Sequence, residues 1–173
     1  MLVRREVGGD VEGIRTVHAS AFADPEHPER LPVEVGLVDA LRSGGAWLPE
    51  LSLVAIGPDG TVEGHVVCTR ARVGSVAVLG LGPVGVRADL QGRGIGSALM
   101  HAVLGAADAL NEPLVALLGH ADYYPRFGFR PAQEYAITPP VASWAPNFQV
   151  RILATYSPAI VGEFHYAQPF YDL

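Results

Sequence analysis

The run Val84-Gly85-Val86-Arg87-Ala88-Asp89-Leu90-Gln91-Gly92-Arg93-Gly94-Ile95-Gly96-Ser97 passes from an apolar strand through a glycine-rich turn into the start of a helix. Upstream, Val76 to Leu81 reads as a strand that Gly82-Pro83 interrupts, since proline donates nothing to a ladder and marks a bulge or a splayed edge. Downstream, Ile95, Leu99, Ala102, Val103, Ala106 and Leu110 recur on one helical face until Asn111-Glu112-Pro113 ends it. Leu114 to Leu118 is then a short, wholly apolar strand of the kind that lies in the middle of a sheet. Strand, crossover helix and parallel strand are predicted in that order.

A helix start exposes N–H groups that have no intrahelical acceptor, and the positive end of the helix dipole adds to them, which favours phosphate. Gly92, Gly94 and Gly96 let oxygens approach the backbone without a Cβ in the way, Ser97 offers a hydroxyl, and Arg87 and Arg93 offer charge. The glycines alone fit a tight turn and close helix packing equally well. A P-loop is excluded because the chain contains no lysine. The dinucleotide fingerprint also fails, since its third glycine would fall at Ser97.

Working outward, Val11, Ile14, Val17, Ala21 and Phe22 have helical spacing behind Asp10, an expected N-cap. Three prolines break the acidic stretch Asp24 to Pro32, after which Val33 to Leu41 resumes a helix. Leu51–Ile56 and Thr61–Val73 flank the turn Gly57-Pro58-Asp59-Gly60 and read as an antiparallel hairpin. Tyr123 to Phe129 reads as one helical turn ended at Gly128, and further strands are expected at Phe148–Leu153 and Gly162–Tyr166.

The 173 residues, 49% hydrophobic and 17% charged, suit a single domain spanning 1–173 with an ordinary apolar core. A net charge of −6 argues against nucleic acid as a partner. No stretch approaches the roughly 20 apolar residues of a membrane span. The lone Cys68, among apolar strand neighbours, cannot close an internal disulfide, and the first residues lack the apolar run of a secretion signal. The expected location is the cytoplasm.

Gln91, Gly94 and Gly96 match Gln/Arg-x-x-Gly-x-Gly/Ala, and Tyr124, Gly128 and Phe129 match Tyr-x-x-x-Gly-Phe. With both motifs in order, the segment from Leu79 to Ala132 resembles the Gcn5-related N-acetyltransferase (GNAT) superfamily, and the whole chain resembles its bacterial YhbS-like branch. The resemblance implies an α/β (α+β) fold, a mixed and mostly antiparallel sheet flanked by helices, with one parallel pair splayed apart. It implies acetyl-CoA as co-substrate, no metal, and direct attack by a primary amine of a small molecule or peptide. Backbone groups of Val84, Gly85 and Val86 would meet the pantetheine. Gln91, Gly92, Arg93, Gly94, Ile95, Gly96 and Ser97 would hold the pyrophosphate, and Tyr124 would stand near the sulfur as the catalytic acid.

Cys68 is then expected to be a packed strand residue and no nucleophile. Glu34, Glu63, His65 and His120 are the candidates for a base. Asp24, Glu26, Glu29 and Glu34 read as a solvated acidic loop or as an attractor for a cationic amine. Phe164, Tyr166, Phe170 and Tyr171 are expected in a core or in a homodimer interface that the terminal strands leave room for, rather than in a substrate pocket. The rival reading is a non-catalytic acyl-CoA-binding module.

Overall fold

The computed structural model describes residues 1–173. In chain order the elements are β1 (Leu2–Arg5), α1 (Val11–Ala21), α2 (Val33–Ser43), β2 (Trp47–Ile56), β3 (Val62–Val73) and β4 (Val76–Val86). They continue with α3 (Ile95–Ala109), β5 (Leu114–Leu118), β6 (Arg130–Pro131), β7 (Ile137–Thr138), β8 (Phe148–Ile152) and β9 (Gly162–His165). The sheet runs β1-β2-β3-β4-β5-β8-β6, while β9 pairs with both β3 and the short β7. Along the main path every neighbour is antiparallel except β4 and β5. A mixed, mostly antiparallel sheet with the parallel pair β4–β5 is therefore the architecture present, and the short β7 adds a second parallel contact to β9.

The β2–β3 hairpin closes where the turn chemistry puts it. Gly60 takes φ +83°, the Gly57 N–H reaches Thr61 O at 2.9 Å, and Asp59 Oδ1 accepts from the Thr61 N–H and hydroxyl. In β4 the Gly82-Pro83 peptide is cis, and the register against β3 slips between Val66 and Cys68, giving the irregularity expected there.

β4 and β5 pair only at Leu79↔Val115 and Gly80↔Ala116. Beyond those two pairs the strands part. The Arg87 N–H bonds to Glu63 O on β3 at 3.0 Å, so the two-residue alternation turns the N–H and C=O groups of Val84 and Val86 the other way, into the gap.

One face of the sheet carries α3, whose Leu99, Met100 and Val103 are fully buried against Leu51, Val66, Cys68, Leu79 and Val115. Across the sheet, Ile14 of α1 and Val38 of α2 meet Val54 and Ile56. Burial pushes the Cys68 thiol far above the ordinary range, which leaves it an inert packing group.

Asp10 departs from its expected part. It closes a 3₁₀ turn that precedes α1 and already has helical backbone, so its side chain caps nothing in that helix. Its carboxylate instead accepts from the Val7 N–H at 2.8 Å and takes both terminal nitrogens of Arg4 at 2.7 and 3.0 Å, tying β1 to α1.

A buried polar chain links α1, α2 and the first three strands. Ser52 donates to Glu6, whose carboxylate also takes Arg42 Nε at 2.9 Å. Ser52 Oγ must then accept from His65 Nε2 at 2.9 Å, which leaves His65 Nδ1 bare to accept from His18 Nε2 at 2.8 Å. One carboxylate thereby sets both tautomers and leaves His18 Nδ1 buried without a partner. Burial would raise the Glu6 carboxyl, but contacts with His65, Arg42 and Ser52 outweigh it and bring it down to about 2. Burial, followed by the fields of His65 and Arg42, holds the His18 imidazole down to about 3.

This polar network makes stability fall as pH falls. As pH falls through 6.5 the unfolded chain protonates His18 first, so stability is full above that value and drains down to the folded value of about 3. At about 1.4 kcal/mol per unit, His18 accounts for a loss of roughly 2–3 kcal/mol between pH 6.5 and 4.5, before Glu6 begins to contribute its own loss. Urea unfolding across that window is expected to show the loss, with a shallower slope for His18→Gln. A flat profile in the parent chain would show that His18 is not held neutral in the folded protein.

Candidate active site

The chain leaves β4 through a 3₁₀ turn at Ala88–Leu90 and enters α3 over Gly92 at φ +75° and Gly94 at φ +84°, both left-handed. Nothing lies within 4 Å of where a Cβ would stand on either glycine, so the backbone is bare on that side. Ala98 N–H is the first in the helix to find a carbonyl, Gly94 O at 3.0 Å, leaving the N–H groups of Ile95, Gly96 and Ser97 without a helical acceptor. Gln91 Nε2 donates to Val86 O at 3.2 Å and fixes the turn against the end of β4.

These groups face one cavity of about 530 Å³, lined by Val84, Gly85, Val86, Gln91, Gly92, Gly94, Ile95, Gly96 and Ser97, with Tyr123, Tyr124 and Arg126 from the segment after β5. Of the stretch from Gln91 to Ser97, only Arg93 stands outside the lining. Arg87 is engaged with Asp89 at 2.8 Å. The charge in this cavity comes from Arg126, whose Nε donates to Tyr123 O at 2.9 Å and whose guanidinium lies 4.5 Å from the centre of the Tyr123 ring.

A second cavity of about 310 Å³ lies beside it, and eleven of its fourteen lining residues are hydrophobic. Leu81 and Val84 from β4 and Leu117 and Leu118 from β5 line it across the gap between those strands. Val84 and Tyr124 line both cavities, so the two meet where β4 and β5 part. The Tyr124 ring fills the space beside Gly119 that a Cβ would occupy and stands edge-on to Tyr123 at 5.1 Å and Phe129 at 5.9 Å. Burial, with Tyr123 adding to it, pushes its hydroxyl up to about 12, so it stays protonated at neutral pH.

The Acetyltransferase (GNAT) domain family matches residues 50–131. The chain is 33% identical over 126 residues to the uncharacterized N-acetyltransferase YjhQ of Escherichia coli K12, a match that spans 70% of this chain and 65% of that protein's length. The GNAT N-acetyltransferase YhbS of Escherichia coli, solved in complex with CoA, superposes with a TM-score of 0.88 at 26% identity, covering 98% of this chain and 91% of that one. A GNAT acetyltransferase of Brucella melitensis, solved in complex with acetyl-CoA, is 31% identical over 98% of this chain and 97% of its own, with a TM-score of 0.76. The chain belongs to the GNAT acetyltransferase family.

Within this GNAT fold the four candidate bases separate. Glu34, in the first turn of α2, lines the apolar cavity. His65 is fully buried with both ring nitrogens engaged, so no position is left on it for a substrate proton. Glu63 lies beside Gly57 at the turn end of the β2–β3 hairpin and His120 is exposed after β5, and neither lines either cavity.

The aromatic cluster also divides. Phe164 is fully buried core, while Tyr166 and Phe170 line the apolar cavity with Phe22 and Trp144. The expectation that the cluster avoids a pocket fails for those two, because the last segment folds back across the gap beside β4. One edge of the Tyr166 ring packs against Gly80, where a Cβ would come within 2.8 Å of it. Arg126 escaped the sequence reading, although its place inside Tyr124-x-x-x-Gly128-Phe129 was the available signal.

The two glycine roles can be separated by stability. Gly94→Ala, at φ +84°, is expected to lower the free energy of unfolding by about 1–2 kcal/mol. Gly96→Ala meets Tyr123 Oη at 3.4 Å and Val86 Cγ2 at 3.6 Å, within the helix, and is expected to keep or raise stability by up to about 1 kcal/mol. Urea titration of both variants checks the order, and equal losses would contradict it.

Proposed function

We propose that this GNAT protein transfers an acetyl group from acetyl-CoA to a primary amine, in the cytoplasm. The observation that carries the reading is the junction of two unlike cavities at Val84 and Tyr124, one edged by unpaired helix N–H groups and the other apolar. The YhbS and Brucella melitensis relatives were solved with CoA and acetyl-CoA, which supports the same ligand here.

The cradle suits a pyrophosphate on its own chemistry. Gly92 and Gly94 leave the turn open to oxygens, the N–H groups of Ile95, Gly96 and Ser97 need acceptors, and Arg126 supplies charge beside them. Val84 and Val86 would offer backbone groups to the amides of the pantetheine arm. Acetyl-CoA would supply a thioester open to direct attack by an amine, so no nucleophilic side chain is required, in keeping with the inert Cys68.

Tyr124 is assigned as the acid. It holds a proton on its hydroxyl oxygen at neutral pH and can donate it as negative charge develops on a leaving sulfur. The ammonium first gives one proton to solvent, and the neutral amine attacks. The new carbon–nitrogen bond replaces the carbon–sulfur bond, the thiol takes the tyrosine proton, and the second proton shed by the nitrogen returns to Tyr124 through solvent. The two cavities would hold the reacting groups together, which lowers the entropic part of the barrier.

Calorimetry is expected to show acetyl-CoA binding and a raised thermal midpoint, with binding weakened at least tenfold in Gly96→Val while folding is retained. With an amine acceptor in hand, Tyr124→Phe is expected to lower kcat by about 10²-fold and leave acetyl-CoA affinity nearly unchanged, since the ring packing is kept. No binding at millimolar acetyl-CoA would end the acyltransferase reading. Thiol release that no amine accelerates would turn it into a CoA-binding module, and full kcat in the Phe variant would remove Tyr124 as the acid.

A further inference from the structure

The apolar cavity beside Tyr124 has a composition that selects among amines. Its walls come from elements far apart in sequence: Phe22 at the end of α1, Leu37 in α2, Trp144 before β8, and Tyr166 and Phe170 in the last segment. The rings make a continuous surface. Tyr166 meets Phe170 at 4.5 Å between centres and Trp144 edge-on at 6.3 Å, and its seat on Gly80 fixes it in place.

Glu34 carries the only charged side chain in that lining, and its carboxylate makes no hydrogen bond or ion pair with any other side chain. Asp24, Glu26 and Glu29 stand outside the cavity and are exposed. One anionic anchor among aromatic faces fits one ammonium, attracted both by the carboxylate and by the ring faces. A volume of about 310 Å³ is at the small end for ligand sites and suits one ring or one branched aliphatic body. A polyamine or an aminosugar would leave its further charges against leucine and phenylalanine with no partner, and a peptide would bring in amide groups that these walls cannot satisfy.

We propose that the acceptor is a small monoamine on an aromatic or branched apolar body, its ammonium anchored by Glu34 and its body seated among Phe22, Leu37, Trp144, Tyr166 and Phe170. This names the acceptor class for the acetyl-transfer reading and rests on it for function, while amine binding itself needs no CoA. Glu34 is a binding residue in this assignment. Tyr124 and Val84 mark the side on which the amine would meet the thioester.

The test uses the full chain without acetyl-CoA and phenethylamine as the probe. Trp144 lies in the cavity, whereas the other tryptophan, Trp47, packs against Ile14, Val38 and their neighbours and lines neither cavity. Phenethylamine is expected to change the intrinsic fluorescence saturably, and Trp144→Phe to abolish that change. Glu34→Gln is expected to weaken binding at least tenfold with an unaltered circular dichroism spectrum. Phenylpropanoate, with a like ring and the opposite charge, is expected to bind at least tenfold more weakly than the amine.

Saturation-transfer NMR of phenethylamine gives the same comparisons if Trp144→Phe fails to fold. Absence of saturable binding, an unchanged dissociation constant in Glu34→Gln, or tighter binding of spermidine or of a leucine-amide peptide would each overturn the proposal. Binding as expected beside a silent acetyl-CoA calorimetry experiment would uphold the pocket and end the acyltransferase reading. Acetyl-CoA turnover that prefers spermidine would do the reverse.

Discussion

The arrangement of this protein depends on how briefly β4 and β5 pair. Two residue pairs, Leu79 with Val115 and Gly80 with Ala116, hold them parallel, and then the strands part with the backbone of Val84 and Val86 turned into the opening. Buried backbone groups need partners, so a gap inside a sheet invites an occupant with amide-like groups of its own. The same divergence lets Tyr124 stand at the meeting point of the two cavities and places the start of α3 at one end of the opening. If the pairing continued to Leu117 and Leu118, neither cavity would reach the other.

A second constraint holds the sheet in that shape from the opposite face. His18 lies over Gly85, where a Cβ would come within 2.9 Å of its Nδ1, so α1 can approach β4 only because residue 85 is glycine. Its hold comes from a directional chain, Glu6 to Ser52 to His65 to His18, in which each acceptor fixes the next donor. Buried networks of this kind are costly when half satisfied. Here the single unpartnered atom, His18 Nδ1, sits at the far end from the carboxylate. This network joins the end of the N-terminal strand to the strand that edges the opening, so acid loosens both.

The two cavities have opposite chemical characters, and this division suits a bisubstrate reaction. One offers backbone N–H groups, two left-handed glycines and Arg126, which together fit a polyanion. The other offers aromatic rings and one free carboxylate, which together fit an apolar cation. A net charge of −6 favours cations at long range, so an anion would be held only by the local geometry of one helix start.

What the sequence by itself determined was local. The glycine turn before α3, the β2–β3 hairpin, the irregularity at Gly82-Pro83 and the helical turn ending at Gly128 all follow from backbone preferences of a few adjacent residues, and two of those segments carry the motifs that point to the GNAT family. Asp10 shows the limit even there, because a 3₁₀ turn of Gly8 to Asp10 gave its carboxylate closer N–H partners than the helix it precedes. Tertiary structure alone decided which of Glu34, Glu63, His65 and His120 would reach a cavity, and it drew Phe22, Trp144 and Phe170 around one space. Those contacts join residues more than a hundred positions apart. Their positions depend on how helices and the last segment pack on the sheet, a sum of many weak contacts that no short stretch of sequence encodes.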